Sequence, residues 1–196
     1  AHAENRGNCT IGFSFLRSNS DTKTYMTSAG HCGPTGANFI MGTSTSPIIA
    51  PIHNNALRGA SSPSKCDCLI VGAIPGAQIT DDVLVDNDAR FDYTNISSTG
   101  SFGQGNVVYV SGAATFTSGL GRLISGKITS SSVTDTSSNG TPLSDLVMVD
   151  SGDTIGGDSG APWGMGGTWM GVHRGLKDGR SIFSKSFHVQ GFNVTA

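Results

Sequence analysis

Up to the extreme C-terminus, no segment of the 196-residue chain sustains a 3.6-residue apolar period over ten positions, and there Gly191 interrupts it. Short apolar runs bounded by turn-forming residues recur instead. "CTIGFSFL", the turn "RSNSDTK" and "TYMTSAG" read as a hairpin. "ANFIMG", "PIIAPI" and "CDCLIVGAI" follow, then "VVYVSG", "GRLISGKITSSSVT", "DLVMVDSG", "TWMGVHRG" and "RSIFSKSFHV". Many short strands at close spacing predict an all-β barrel or sandwich. The Ser/Thr/Gly-rich stretch "TNISSTGSFGQGN" divides them, which places an N-terminal unit at 1–98 and a C-terminal unit at 99–196.

Charged residues make up 13% of the chain, about half the share of an average globular protein. Hydroxyls and turns carry the polarity, as in many extracellular β proteins. The net charge of −2 supplies no basic field for nucleic acid or an anionic membrane. No apolar run approaches the ~18 residues that span a bilayer. The polar start "AHAENRGN" lacks an initiator Met and a signal-peptide core, and reads as a processed N-terminus.

Cys9, Cys32, Cys66 and Cys68 show no zinc-type spacing, so no metal and no other cofactor is expected. Cys9 and Cys32 flank the first hairpin, and a bridge closing that loop contributes roughly 3–4 kcal/mol. Cys66 and Cys68 stand at i and i+2. In an extended strand their Cα atoms lie ~6.5–7 Å apart, at the limit for a disulfide, which leaves a strained bridge or two thiols. Sequons at Asn8, Asn95, Asn139 and Asn193 carry meaning only in a eukaryotic secretory host.

Three residues can act together. "TSAGHC" sets His31 after small residues, "KCDCLIV" sets Asp67 at the mouth of an apolar strand, and "GGDSGAP" sets Ser159 where glycines permit a sharp turn. A serine hydroxyl is a weak nucleophile and needs a base. His31 can take its proton, and Asp67 can hold the imidazole tautomer and stabilise the cation formed. The N–H groups of Gly157 and Ser159 can converge on an oxyanion, worth roughly 3 kcal/mol per donor.

With these motifs the chain resembles the chymotrypsin-fold serine peptidases, in the order His, Asp, Ser. It is most similar to the compact bacterial streptogrisin and glutamyl endopeptidase type. "CTIGF…TSAGHC", "SSPSKCDCLIV", "VVYVSGAATFTSGLGRLISGKIT" and "GDSGAP" carry the likeness over nearly the whole chain. The resemblance implies two six-stranded antiparallel β-barrels with the site in the crevice between them. It also implies a Cys9–Cys32 bridge, a secreted monomer and polypeptide substrates. Two departures stand out. The half-cystine that the family often carries shortly before the nucleophile is replaced here by Ile155-Gly156. "VSG" at 110–112 also lacks the buried Arg that bacterial relatives use, so Asp158 needs another partner, for which Arg122 is the candidate.

In glutamate-specific relatives a Thr or Ser and a His hold the substrate carboxylate. Thr154 and His173 match them, with Arg174, Gly175 and Lys177 close in sequence; some viral relatives read glutamine with a similar His. Asp153 supplies a rival signal for Lys or Arg, and apolar specificity is a further alternative. Outside this class stand an inactive homologue used for binding and a cytosolic viral processing protease.

Overall fold

The computed structural model describes residues 2–3, 8–16, 24–43, 46–58, 63–72, 82–84, 90–92, 95–97, 102–119 and 123–189. The turn at 17–23, Arg122, the expected 98/99 boundary and Asn193 lie outside them. Six strands form the first sheet: β1 (His2–Ala3), β2 (Ser14–Leu16), β3 (Thr24–Ser28), β4 (Asn38–Thr43), β5 (Ser46–Asn55) and β6 (Leu69–Val71). Their order is β1-β4-β5-β6-β3-β2, every pair antiparallel. A separate hairpin joins β7 (Asp82–Leu84) to β8 (Arg90–Asp92).

The second sheet uses β9 (Asn95–Ile96), β10 (Val107–Val110), β11 (Ile124–Thr136), β12 (Pro142–Val149), β13 (Pro162–Met165), β14 (Thr168–Lys177) and β15 (Arg180–Lys185). The order β13-β10-β11-β12-β15-β14 returns on itself because β13 also pairs with β14. Six antiparallel strands thus form a ring, and β9 adds a seventh in parallel to β14. In the first sheet the terminal strands β1 and β2 do not pair with each other among the described residues. The expected all-β fold with two six-stranded antiparallel sheets is therefore present, and β9 is an addition to it.

Period-two burial explains the strands. On β10, Val108 and Val110 face inward while Val107 and Tyr109 face out. Val108, Val110, Ile124, Ile128, Val149 and Trp163 belong to the core of the second sheet. Met26, Phe39, Ile52, Leu69 and Val71 belong to that of the first. Phe13, Phe15, Tyr25 and Ile70 of the first half pack with Trp169 and Val172 of β14, and Phe13 stacks on Trp169 at 4.5 Å between centroids. Truncating a buried aromatic of this kind costs roughly 3–5 kcal/mol, so this seam holds the halves in register.

One helix was not anticipated: α1 (Ala113–Ser118). At six residues it is too short to show a helical period. Cys9 and Cys32 are bridged, with Cα atoms 6.3 Å apart. Cys66 and Cys68 are bridged as well, and the open question resolves because the chain is not an extended strand there. Their Cα atoms lie 5.2 Å apart, and β6 begins only at Leu69. No helix among the described residues is long and apolar enough to cross a membrane.

Candidate active site

His31 sits in a single 3-10 turn, Gly30–Cys32, directly after β3. A Cβ on Gly30 would stand 2.8 Å from Leu57 Cβ and 2.9 Å from Asp67 Oδ1, so only glycine lets the carboxylate come this close. Buried Asn55 ties the turn down. Its Nδ2 donates to the carbonyls of Gly30 (2.7 Å) and Gly33 (2.5 Å), and its Oδ1 accepts from the Leu57 N–H. The Cys9–Cys32 bridge fixes the far end of the turn.

Asp67 lies between the bridged cysteines and is sealed from solvent. Its Oδ1 accepts the backbone N–H of His31 at 2.8 Å, and its Oδ2 stands 2.7 Å from His31 Nδ1. A neutral His31 therefore keeps its proton on Nδ1 and presents Nε2 as a base. The Asp67 N–H donates to Ser184 Oγ on β15, at 2.9 Å, which anchors the carboxylate to the second sheet.

Ser159 lies in a tight turn between glycines of positive φ, Gly157 (107°) and Gly160 (97°). A Cβ on Gly160 would stand 2.2 Å from the Thr10 carbonyl and 2.3 Å from Ser28 Oγ. Thr10 locks the turn. Its N–H donates to the Ser159 carbonyl (2.7 Å), and its Oγ1 donates to the Gly157 carbonyl (2.8 Å) while accepting the Ala113 N–H. Among the described residues, no hydrogen bond takes up the N–H of Gly157 or of Ser159. Both are available to a developing oxyanion.

The buried Asp158 carboxylate accepts the N–H groups of Ala114 (3.0 Å), Thr115 (2.9 Å) and Ile155 (2.9 Å), and the Thr115 hydroxyl. The first turn of α1 thus supplies three of the four donors to Asp158, while Arg122, the expected partner, lies outside the described residues. Peptide N–H groups and the helix dipole stabilise a carboxylate without a counter-ion. Gly112 makes room, since a Cβ there would stand 2.1 Å from Asp158 Oδ1.

His173, on β14, is bound to the same turn. Its N–H donates to the Ala161 carbonyl, and its carbonyl accepts the Gly160 N–H. Burial lowers its pKa to about 4; the charges of His31 and Arg174 push the same way, against Asp158 and Asp67. The Trp163 indole N–H donates to Nδ1 at 3.1 Å. The neutral ring near pH 7 therefore carries its proton on Nε2, which no hydrogen bond takes up among the described residues. Thr154 and Ser181, both buried, share a hydrogen bond of 3.0 Å between hydroxyls. Asp153 is exposed and accepts a hydrogen bond from Ser151 Oγ. Gly175 adopts φ 149° after Arg174, whose guanidinium turns to Asp67 and Asp135.

The sequence reading missed Thr10, Asn55, Trp163 and Ser184. Only Thr10, beside Cys9, had a local signal. Cys9, His31 and Cys32 form the one group among the described residues with metal-ligand proximity, but both sulfurs are spent in the disulfide.

No family model and no curated protein matches the sequence. Solved structures do. Thermobifida fusca protease A is 25% identical, with 100% of this chain and 96% of that one covered and a TM-score of 0.74. A protease from Nocardiopsis is 19% identical, covering 100% and 97%, with a TM-score of 0.75. A glutamic acid specific serine protease, described as using a histidine triad in substrate binding, is 20% identical, covering 96% and 93%, with a TM-score of 0.73. Over nearly its whole length the chain shares the fold of these bacterial chymotrypsin-fold serine proteases.

Proposed function

We propose that the protein is a secreted serine endopeptidase that cleaves after Glu or Asp through an acyl-enzyme. The observation that carries this reading is the pairing of His31 with buried Asp67, beside a Ser159 turn whose Gly157 and Ser159 N–H groups have no partner among the described residues. Ser159 Oγ attacks the scissile carbonyl carbon and passes its proton to His31 Nε2, while Asp67 steadies the imidazolium. The oxyanion settles on the N–H groups of Gly157 and Ser159. The C–N bond then breaks, and His31 returns the proton to the leaving amine. A water molecule, deprotonated by His31, attacks the acyl carbon; the bond from that carbon to Ser159 Oγ then breaks, and His31 returns the proton to Oγ. Two disulfides support an oxidising, extracellular setting.

Specificity rests on oxygen recognition. The Nε2–H of His173 and one hydroxyl of the Thr154–Ser181 pair supply donors to a side-chain carboxylate or carbonyl. Because His173 is neutral near pH 7, glutamine is the second reading: its amide is buried without a counter-ion at smaller cost than a carboxylate. Peptides differing only in the residue before the scissile bond test this. Glu or Gln peptides are expected to turn over fastest, and equal or better turnover of Phe or Lys peptides refutes it. Stoichiometric labelling of Ser159 by an organophosphate separates an enzyme from an inactive binding homologue.

A further inference from the structure

Arg174 follows His173 on β14, where it was expected to meet substrate. Its guanidinium is occupied elsewhere. Nε lies 3.2 Å from Asp67 Oδ2, the oxygen that also faces His31 Nδ1. A terminal nitrogen donates to the Thr136 carbonyl and lies 3.1 Å from Asp135 Oδ2. Lys177 Nζ stands 3.9 Å from Asp135 Oδ1. Charges alternate along a single path: His31, Asp67, Arg174, Asp135, Lys177. The Nε contact lacks hydrogen-bond alignment, so it acts through charge, and both partners of that contact are shielded from water.

We propose that Arg174 is a positioning residue of the triad: stretched between Asp67 and Asp135, it holds the Asp67 carboxylate against His31 and limits how tightly that pair keeps a proton. The inference rests on the triad reading above. When Ser159 gives up its proton, His31 becomes a cation beside Asp67. The buried Asp67 carboxylate attracts that cation. Arg174 opposes the cation, and Asp135 in turn draws off part of the effect of Arg174. His173, which feels the charges of His31, Asp67 and Arg174, is neutral near pH 7, and Lys177 meets the path at Asp135.

The pH profile of kcat/KM tests the proposal in two full-length variants. Arg174→Gln removes the cation, and the acid limb is expected to move up by about one pH unit. Asp135→Asn, at the outer end of the path, releases the full charge of Arg174 and is expected to move the limb down by about half a unit. A substitution that merely loosens the fold would lower the plateau without moving the limb in opposite directions. Acid limbs that superimpose on the wild type in both folded variants overturn the proposal, as does a downward shift in Arg174→Gln. Should Arg174→Gln not fold, the limb of Asp135→Asn decides alone. Hydrolysis that survives Ser159→Ala would sink the triad reading itself, and that outcome is distinct from an active, serine-dependent enzyme with unmoved limbs.

Discussion

Thr10 donates its backbone N–H to the carbonyl of Ser159 at 2.7 Å. Thr10 follows Cys9, which is bridged to Cys32, which follows His31. The proposed base and nucleophile come from different sheets, yet only this short path separates them. The Thr10 side chain reaches the same turn at Gly157 and holds the start of α1 at Ala113. One residue of the first half thus braces the nucleophile turn from two directions.

Thr10→Val keeps the shape and the backbone bond but removes the hydroxyl. The Gly157 carbonyl and the Ala113 N–H lose their partner, which costs roughly 1–3 kcal/mol in urea unfolding. Because the Gly157 N–H is a proposed oxyanion donor, kcat should fall roughly tenfold while KM changes little. A variant with wild-type kcat would show that the brace is not needed for catalysis.

Asp158→Asn replaces a carboxylate that accepts four donors with an amide that must point its NH2 at some of them. The expected loss is about 2–4 kcal/mol, together with most of the activity. Arg122→Gln should leave both stability and activity unchanged if α1 is the partner that matters. Parallel thermal melts and peptide assays compare the two.

Replacing Cys9 and Cys32 together by Ala opens a 23-residue separation and should cost about 3 kcal/mol. The His31 turn is held from that side, so peptide turnover should fall even at temperatures where the variant remains folded. Circular dichroism melts and assays well below the midpoint separate the two effects.

His173 gives the folded protein an acid limit. Its folded pKa of about 4 lies below the ordinary value of 6.5 because burial disfavours the cation. Between those values the unfolded chain binds a proton that the folded chain does not. The contribution is therefore complete above about pH 6.5 and is lost as pH falls toward 4, roughly 3 kcal/mol in all. Guanidinium midpoints of the wild type should drop between pH 7 and 4.5 more steeply than those of His173→Gln. Asp145 acts lower in the range. Burial would raise its pKa, but Lys185 and His188 outweigh burial and lower it below 3.8, so its contribution is lost only as pH falls past that value.

Much of the architecture was legible in the sequence because strands depend on local alternation. "VVYVSG" became β10 with little change in its bounds, and the first six residues of "RSIFSKSFHV" became β15, the strand ending at Lys185 where a 3-10 turn, Ser186–His188, begins. The candidate trio was legible too, since His31 stands beside a half-cystine, Asp67 at the mouth of an apolar strand, and Ser159 between turn-forming glycines. The six-residue α1 and the parallel strand β9 were not, because neither is long enough to carry a period.

By itself, then, the sequence determined the all-β class, the order of His31, Asp67 and Ser159, and the glycines that make a tight turn possible. Only the tertiary structure decided the partners. Asp158 found α1 at a sequence separation of 43–44, Asp67 found Ser184 at 117, and Thr10 found Gly157 at 147. Arg174 was drawn from the substrate side to Asp67, and Trp163 took one nitrogen of His173. Propensity and spacing act over a few residues, whereas a buried charge or N–H group is satisfied by whichever donor or acceptor the packed sheets bring within about 3 Å.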